Sequence, residues 1–148
     1  MAITQSAWAS GRKMPATSGC AAEVVAQKFS TVITADKAIG DIIEIGVLPA
    51  EHDIVDVVML AGAMGTGVDI DVGIMSGAYG DTDQARTCGA EFHADVDVAA
   101  TSVTRMTLVG GFTLDSGRED RSIGVKFKSA STTAADQLLV AMVLYRQK

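Results

Sequence analysis

The stretch Val68-Asp69-Ile70-Asp71-Val72-Gly73-Ile74 puts a branched apolar side chain at every second position and aspartate or glycine between them. Successive side chains of a strand point to opposite faces, whereas a helix needs apolar residues three and four apart. The stretch therefore reads as a strand, with Val68, Ile70, Val72 and Ile74 facing in and Asp69 and Asp71 facing out. Before it, Gly62-Ala63-Met64-Gly65-Thr66-Gly67 reads as a hairpin turn. Residues 53–61 come next upstream, with Val55, Val57 and Met59 on one face and Ile54, Val58 and Leu60 on the other. A strand that is apolar on both sides is expected to be central and covered twice.

Working outward, residues 41–48 alternate, with Ile43, Ile45 and Val47 on one face, until Pro49 stops them. Residues 23–34 are rich in strand formers, among them Val24, Val25, Phe29, Val32 and Ile33. Downstream, a polar loop runs through Tyr79, Asp81, Asp83 and Gly89. Residues 99–112, with Val103, Met106, Leu108 and Val109, read as a further strand. Residues 121–128 alternate again, with Ile123, Val125 and Phe127 in and Lys126 and Lys128 out. After a turn or short helix at 132–137, residues 138–145 form a nearly unbroken apolar run, also expected to be buried on both faces. Six or seven short strands without an amphipathic helix between them predict an all-β fold. An antiparallel two-sheet sandwich of jelly-roll or Greek-key type fits best.

The chain has 148 residues, enough for one domain, assigned here to residues 23–148. Residues 1–22 lack either periodicity and read as an extended N-terminal arm. That arm carries the single tryptophan, Trp8, an unfavourable side chain to leave in water. Trp8, Arg12, Lys13 and Met14 are therefore the candidate partner-contact residues. Twelve basic against eighteen acidic residues give a net charge of −6, the wrong sign for gripping a phosphate backbone, so no nucleic-acid partner is expected. No run of eighteen apolar residues exists to span a membrane as a helix. The first twenty residues lack the apolar segment of a secretion signal, so synthesis in a cytoplasm is expected. Cys20 and Cys88 are too few for a disulfide framework, and their spacing does not decide whether they pair. A mean hydropathy of +0.28 suggests apolar surface hidden against a partner as well as in the core.

Templates for chemistry find little to hold. The glycines of residues 62–67 are in the wrong order for a dinucleotide loop, and a strand follows them instead of a helix. His52 and His93 have no second histidine at ligand spacing, so no metal or cofactor is expected. A Cys88–His93 nucleophilic pair lacks a third group to orient it. The pairs Asp69 with Asp71 and Asp95 with Asp97 could share a face as acid and base or as calcium ligands. They are read as the solvated side of amphipathic strands, and the loop Asp81-Thr82-Asp83-Gln84 as plain solvated loop. The cations Arg118, Arg121, Lys126 and Lys128 are broken by Glu119 and Asp120 and make no phosphate track. No catalytic residue is assigned, and the expected role is not enzymatic.

Three segments in order, Asp41-Ile42-Ile43-Glu44-Ile45-Gly46-Val47-Leu48-Pro49-Ala50, Ile54-Val55-Asp56-Val57-Val58-Met59-Leu60 and Val68-Asp69-Ile70-Asp71-Val72-Gly73-Ile74, resemble a group of small virion proteins of tailed bacteriophages. Arg121-Ser122-Ile123-Gly124-Val125 and the closing Leu139-Val140-Ala141-Met142-Val143-Leu144-Tyr145 match the same style. The resemblance covers residues 23–146 and leaves the arm and the 81–89 loop unmatched. It implies a capsid decoration, or cement, protein: a β-sandwich on the outside of the head that bridges neighbouring major-capsid subunits and carries no catalytic residues. The partner so implied is the major capsid protein; separately, the apolar excess suggests further copies of the chain, and closed symmetry favours a homodimer before a homotrimer.

Other readings compete. A head–tail connector, or a tail or fibre component, would suit the same composition. A carbohydrate-binding jelly roll needs exposed aromatics, and one Trp with two Tyr supplies few. An enzyme on a cupin-like barrel needs a histidine-rich metal site, which two isolated histidines cannot build.

Overall fold

A computed structural model of the chain describes residues 1–16, 23–131 and 136–148. Two sheets face each other as a sandwich. The first contains β1 (Ile3–Gln5), β3 (Ile42–Leu48), β8 (Arg121–Phe127), β5 (Asp69–Ile74) and β6 (His93–Asp97), in that spatial order. The second contains β2 (Val24–Ile33), β9 (Gln137–Gln147), β4 (His52–Ala61) and β7 (Ser102–Arg105). All pairings are antiparallel except β1 with β3, which is parallel. One short helix, α1 (Val109–Phe112), follows β7.

The alternating segments fold as their period demands. Val68, Ile70, Val72 and Ile74 are buried in one layer with Ile123, Val125 and Phe127. The second sheet answers with Phe29, Val57, Met59, Leu139, Ala141, Val143 and Tyr145. Close packing between the two inner faces makes the single core.

Several expectations need correction. Residues 62–67 are not a hairpin turn: β4 and β5 lie in different sheets, so the segment crosses between them. Met64 is buried there, and its N–H donates to the Val98 carbonyl at 2.9 Å. Of residues 99–112 only Ser102–Arg105 is strand, and the rest turns into α1 around Gly110 and Gly111. In β4 a bulge between Ile54 and Asp56 shifts the alternation, so Ile54 joins Val57 and Met59 on the inner face. Every residue of β3 is buried, because its second face is also covered. Conversely, β4 and β9 are not fully covered on their outer side: Leu138 and Met142 are exposed, Val58 and Leu60 half-buried and Val140 buried. Strand β1 was not foreseen, and β6 only in that Asp95 and Asp97 were placed on an amphipathic strand. Residues 132–135, within the predicted turn or helix at 132–137, and residues 17–22 with Cys20, lie outside the described residues.

Candidate functional site

The arm is strapped along the β3 edge of the five-stranded sheet. The Ile42 N–H donates to the Ala2 carbonyl at 2.8 Å, the Ser6 N–H donates to the Glu44 carbonyl at 2.9 Å, and the Ser6 hydroxyl donates to the Ile45 carbonyl at 2.6 Å. The same hydroxyl oxygen accepts the N–H groups of Trp8 and Ala9, each at 3.2 Å, and folds residues 6–9 into a turn. That turn delivers the Trp8 ring edge-on to Phe29 at 5.3 Å between centroids. Lys13 then lies over the indole at 5.3 Å. The Tyr79 hydroxyl donates to the Trp8 carbonyl.

Of the four candidate contact residues, Trp8 is half-buried against its own chain and Lys13 is brought onto it. Arg12 is exposed, and Met14 stands out at 87%. Lys13 and Met14 line a groove of about 250 Å³ whose opposite wall is Val47, Pro49, Tyr79 and Asp120. Trp8 Nε1 is buried with no hydrogen-bond partner.

Under the arm lies a buried ion pair that the sequence reading missed. Arg86, 3% exposed, places Nη1 at 3.2 Å from Glu44 Oε1, and Glu44 is fully buried. Arg86 also donates to the carbonyls of Ser76 and Asp81, each at 2.7 Å, and to the Ser122 hydroxyl at 2.6 Å. Glu44 accepts from the Gln5 side chain at 2.8 Å and from the Gly80 N–H at 3.0 Å. Arm, β3, β8 and the 76–87 loop thus meet at one charge pair. The available signal was a lone glutamate inside the apolar run Ile42–Leu48.

This loop covers the outer face of the five-stranded sheet, and two glycines let it approach. Gly73 and Gly124 are opposite each other across β5 and β8. A Cβ on Gly124 would meet Met75 at 2.6 Å and Cys88 at 2.8 Å, and one on Gly73 would meet the Gly89 backbone at 2.5 Å. The reverse holds for the other sheet. The outer face of β2, β9, β4 and β7 carries Val32, Val58, Leu60, Val103, Leu138 and Met142, with Val103 at 65% exposure, Leu138 at 43% and Met142 at 39%.

The candidates for chemistry are placed apart or occupied. Asp71 is buried, accepts the Asp95 N–H at 2.9 Å and lies 3.7 Å from Lys128, which also bonds Asp95. The expected solvated face is therefore not found at this pair: Asp71 is buried and partnered, and Asp69 is half-buried. Burial first, and Glu91 second, push the Cys88 thiol up to about 12. It stays protonated at neutral pH, the opposite of what a nucleophile requires. Among the described residues no group of three or more His, Cys, Asp or Glu could hold a metal ion.

His93 is buried, and its Nε2 lies 3.1 Å from the Thr104 carbonyl. Burial holds its pKa below the ordinary 6.5 despite that contact and the Asp56 charge. The folded state therefore keeps the ring neutral while the unfolded chain takes up a proton as pH falls through 6.5, so stability is lost on acidification from there. Denaturant unfolding at about pH 7.5 and pH 5 should show this fall, and His93→Gln should flatten it. Equal slopes for both proteins would assign the acid sensitivity elsewhere.

No family model matches the chain, and no curated protein matches it. Solved structures do. A chain from the capsid of Ralstonia phage GP4 is 36% identical, with a TM-score of 0.91, over 99% of both chains. A chain from the cyanophage Pam1 capsid asymmetric unit is 16% identical with a TM-score of 0.66, over 94% of this chain and 96% of that one, and shares the fold.

Proposed function

We propose, on the premise that this chain belongs to the same family as the matching chain of the Ralstonia phage GP4 capsid, that it is a structural virion protein decorating the outside of a phage head. The observation that carries the reading is likeness along the whole length, 99% of both chains, to a component of a capsid. In this role the protein bridges neighbouring major-capsid subunits, works as a self-associated oligomer and performs no catalysis. Arg12, Lys13 and Met14 are its proposed shell contacts, with Trp8 holding them in position from within the same chain.

The mechanism is thermodynamic. A protein that binds the assembled shell and not its separated subunits stabilises the shell by mass action. A clamp across a subunit junction must break before the subunits part, and copies repeated over the lattice act together. The packing supports this use, because the arm that presents the contacts is fixed to β3 and the loop.

Co-sedimentation with expanded, undecorated heads tests the reading. Copies per head should saturate at a number set by the lattice, and decorated heads should rupture at a higher temperature than bare ones. No binding, or a few copies at one vertex, would move the protein to the connector or the tail.

A further inference from the structure

We propose that the outer face of the β2-β9-β4-β7 sheet is where two copies of this chain pair, face to face about a two-fold axis. The inference rests on the self-association half of the reading above and names its surface.

The face is built from registered rows. Ser30, Val140, Leu60 and Val103 stand side by side across the four strands, and Lys28, Met142, Val58 and Arg105 form the next row. Leu138 and Val32 extend the apolar area at one end. The middle of both rows is apolar, and the cations sit on the two edge strands. This inverts the arrangement expected of a monomer in water. The five-stranded sheet has polar outer side chains, such as Glu44 and Ser122, and hides them under its own loop and arm. The four-stranded sheet has an apolar outer face and leaves Val32, Val103, Leu138 and Met142 exposed on it, around a buried Val140 and half-buried Val58 and Leu60. Contiguous exposed apolar surface of this kind marks an interaction site.

Charge and area choose the occupant. The protein carries a net charge of −6, so two copies repel over most of their surface. On this face the carboxylates Asp53 and Asp56 are already held by their own chain, by Lys148 at 3.6 Å and by Arg105 at 2.5 Å. Paired in this way, those two carboxylates repel a second copy less than free ones would. Three strands of about ten residues and one of four, at about 3.3 Å per residue and about 4.8 Å between strands, give a face of about 550 Å². Two such faces hide about 1,100 Å², above the roughly 1,000 Å² a specific interface needs. The face meets the same face of a second copy, so the assembly is an isologous dimer, whereas a trimer would need a heterologous contact.

Sedimentation equilibrium of the full chain, without heads, tests this. At about 100 μM the wild type should sediment at twice 15.3 kDa. Leu138→Glu with Met142→Glu sets like charges face to face and should yield a monomer. Val103→Glu alters a more exposed edge position and should weaken the dimer roughly tenfold while keeping a cooperative thermal transition. A monomeric or trimeric wild type overturns the proposal, as does a dimer indifferent to both variants. A monomeric wild type whose double variant loses head binding gives the face to the shell instead, which also overturns self-pairing. A dimer that fails to bind heads would leave this inference standing and remove the decoration role.

Discussion

Replacing Arg86 with alanine is expected to lower the unfolding free energy by about 3–5 kcal/mol, because it leaves the fully buried Glu44 carboxylate without its counter-charge. The loss is large because, among the described residues, Arg86 is the cation paired with that carboxylate. Ser122, Gln5 and the Gly80 N–H still donate to Glu44, but dipoles do not replace a cation in a low-dielectric site. The carbonyls of Ser76 and Asp81 lose the Arg86 donors at the same time, and Asp81 keeps only the Gln5 side-chain amide at 3.5 Å. Glu44→Gln combined with Arg86→Met should cost less than the two single changes summed, since neither partner is then left as an orphan charge. Denaturant midpoints of the three variants measure this. For a chain of this size the single Arg86→Ala loss corresponds to a fall in melting temperature of roughly 6–20 °C. A loss below about 1 kcal/mol would mean that water reaches the pair and screens it.

That pair also shows where reading the sequence stops. Strands β5 and β8 were legible because polar residues alternate with apolar ones, so the period alone fixes both the element and its inner face. The partners of Glu44 are another matter. Gln5 and Arg86 lie 39 and 42 positions away, one in a three-residue strand and one in a polar loop with no period at all. Strand β1 exists because β3 offers it an edge, which no local propensity reports. Similarly, residues 62–67 have the glycines of a hairpin, and only the sheet order reveals a crossover. The runs in β4 and β9 were read as apolar on both sides, which fits β9 over 138–145, whereas β4 also sets Asp53 and Asp56 on its outer side. Which of their faces the chain itself covers depends on where the 76–91 loop lands, and that is set by Gly73, Gly124 and Arg86 together. For the arm, Trp8 was legible as a residue that must be sheltered, while the surface that shelters it was not.

Phe29→Ala should be comparably damaging, at about 3–5 kcal/mol, and should release the arm as well as loosen the core. Phe29 is fully buried at the inner face of β2. Its ring fills the space opposite Gly46, where even a Cβ would come within 2.5 Å of it. The same ring is the surface on which Trp8 rests. Truncation therefore opens a cavity that the closely packed β-branched neighbours cannot collapse to fill, and removes the aromatic contact that seats the arm. Trp8→Ala separates the two effects. It should free residues 6–14 while costing the sandwich less, because Trp8 is only half-buried and its Nε1 makes no hydrogen bond to lose. Limited trypsin digestion reads the arm through cleavage after Arg12 and Lys13, and thermal unfolding reads the core. Phe29→Ala should change both strongly, and Trp8→Ala chiefly the first. If Trp8→Ala leaves the cleavage rate unchanged, the Ser6 and β1 hydrogen bonds hold the arm unaided. Trp8 then has no anchoring role, and the fixed presentation of Arg12, Lys13 and Met14 depends on the backbone strap alone.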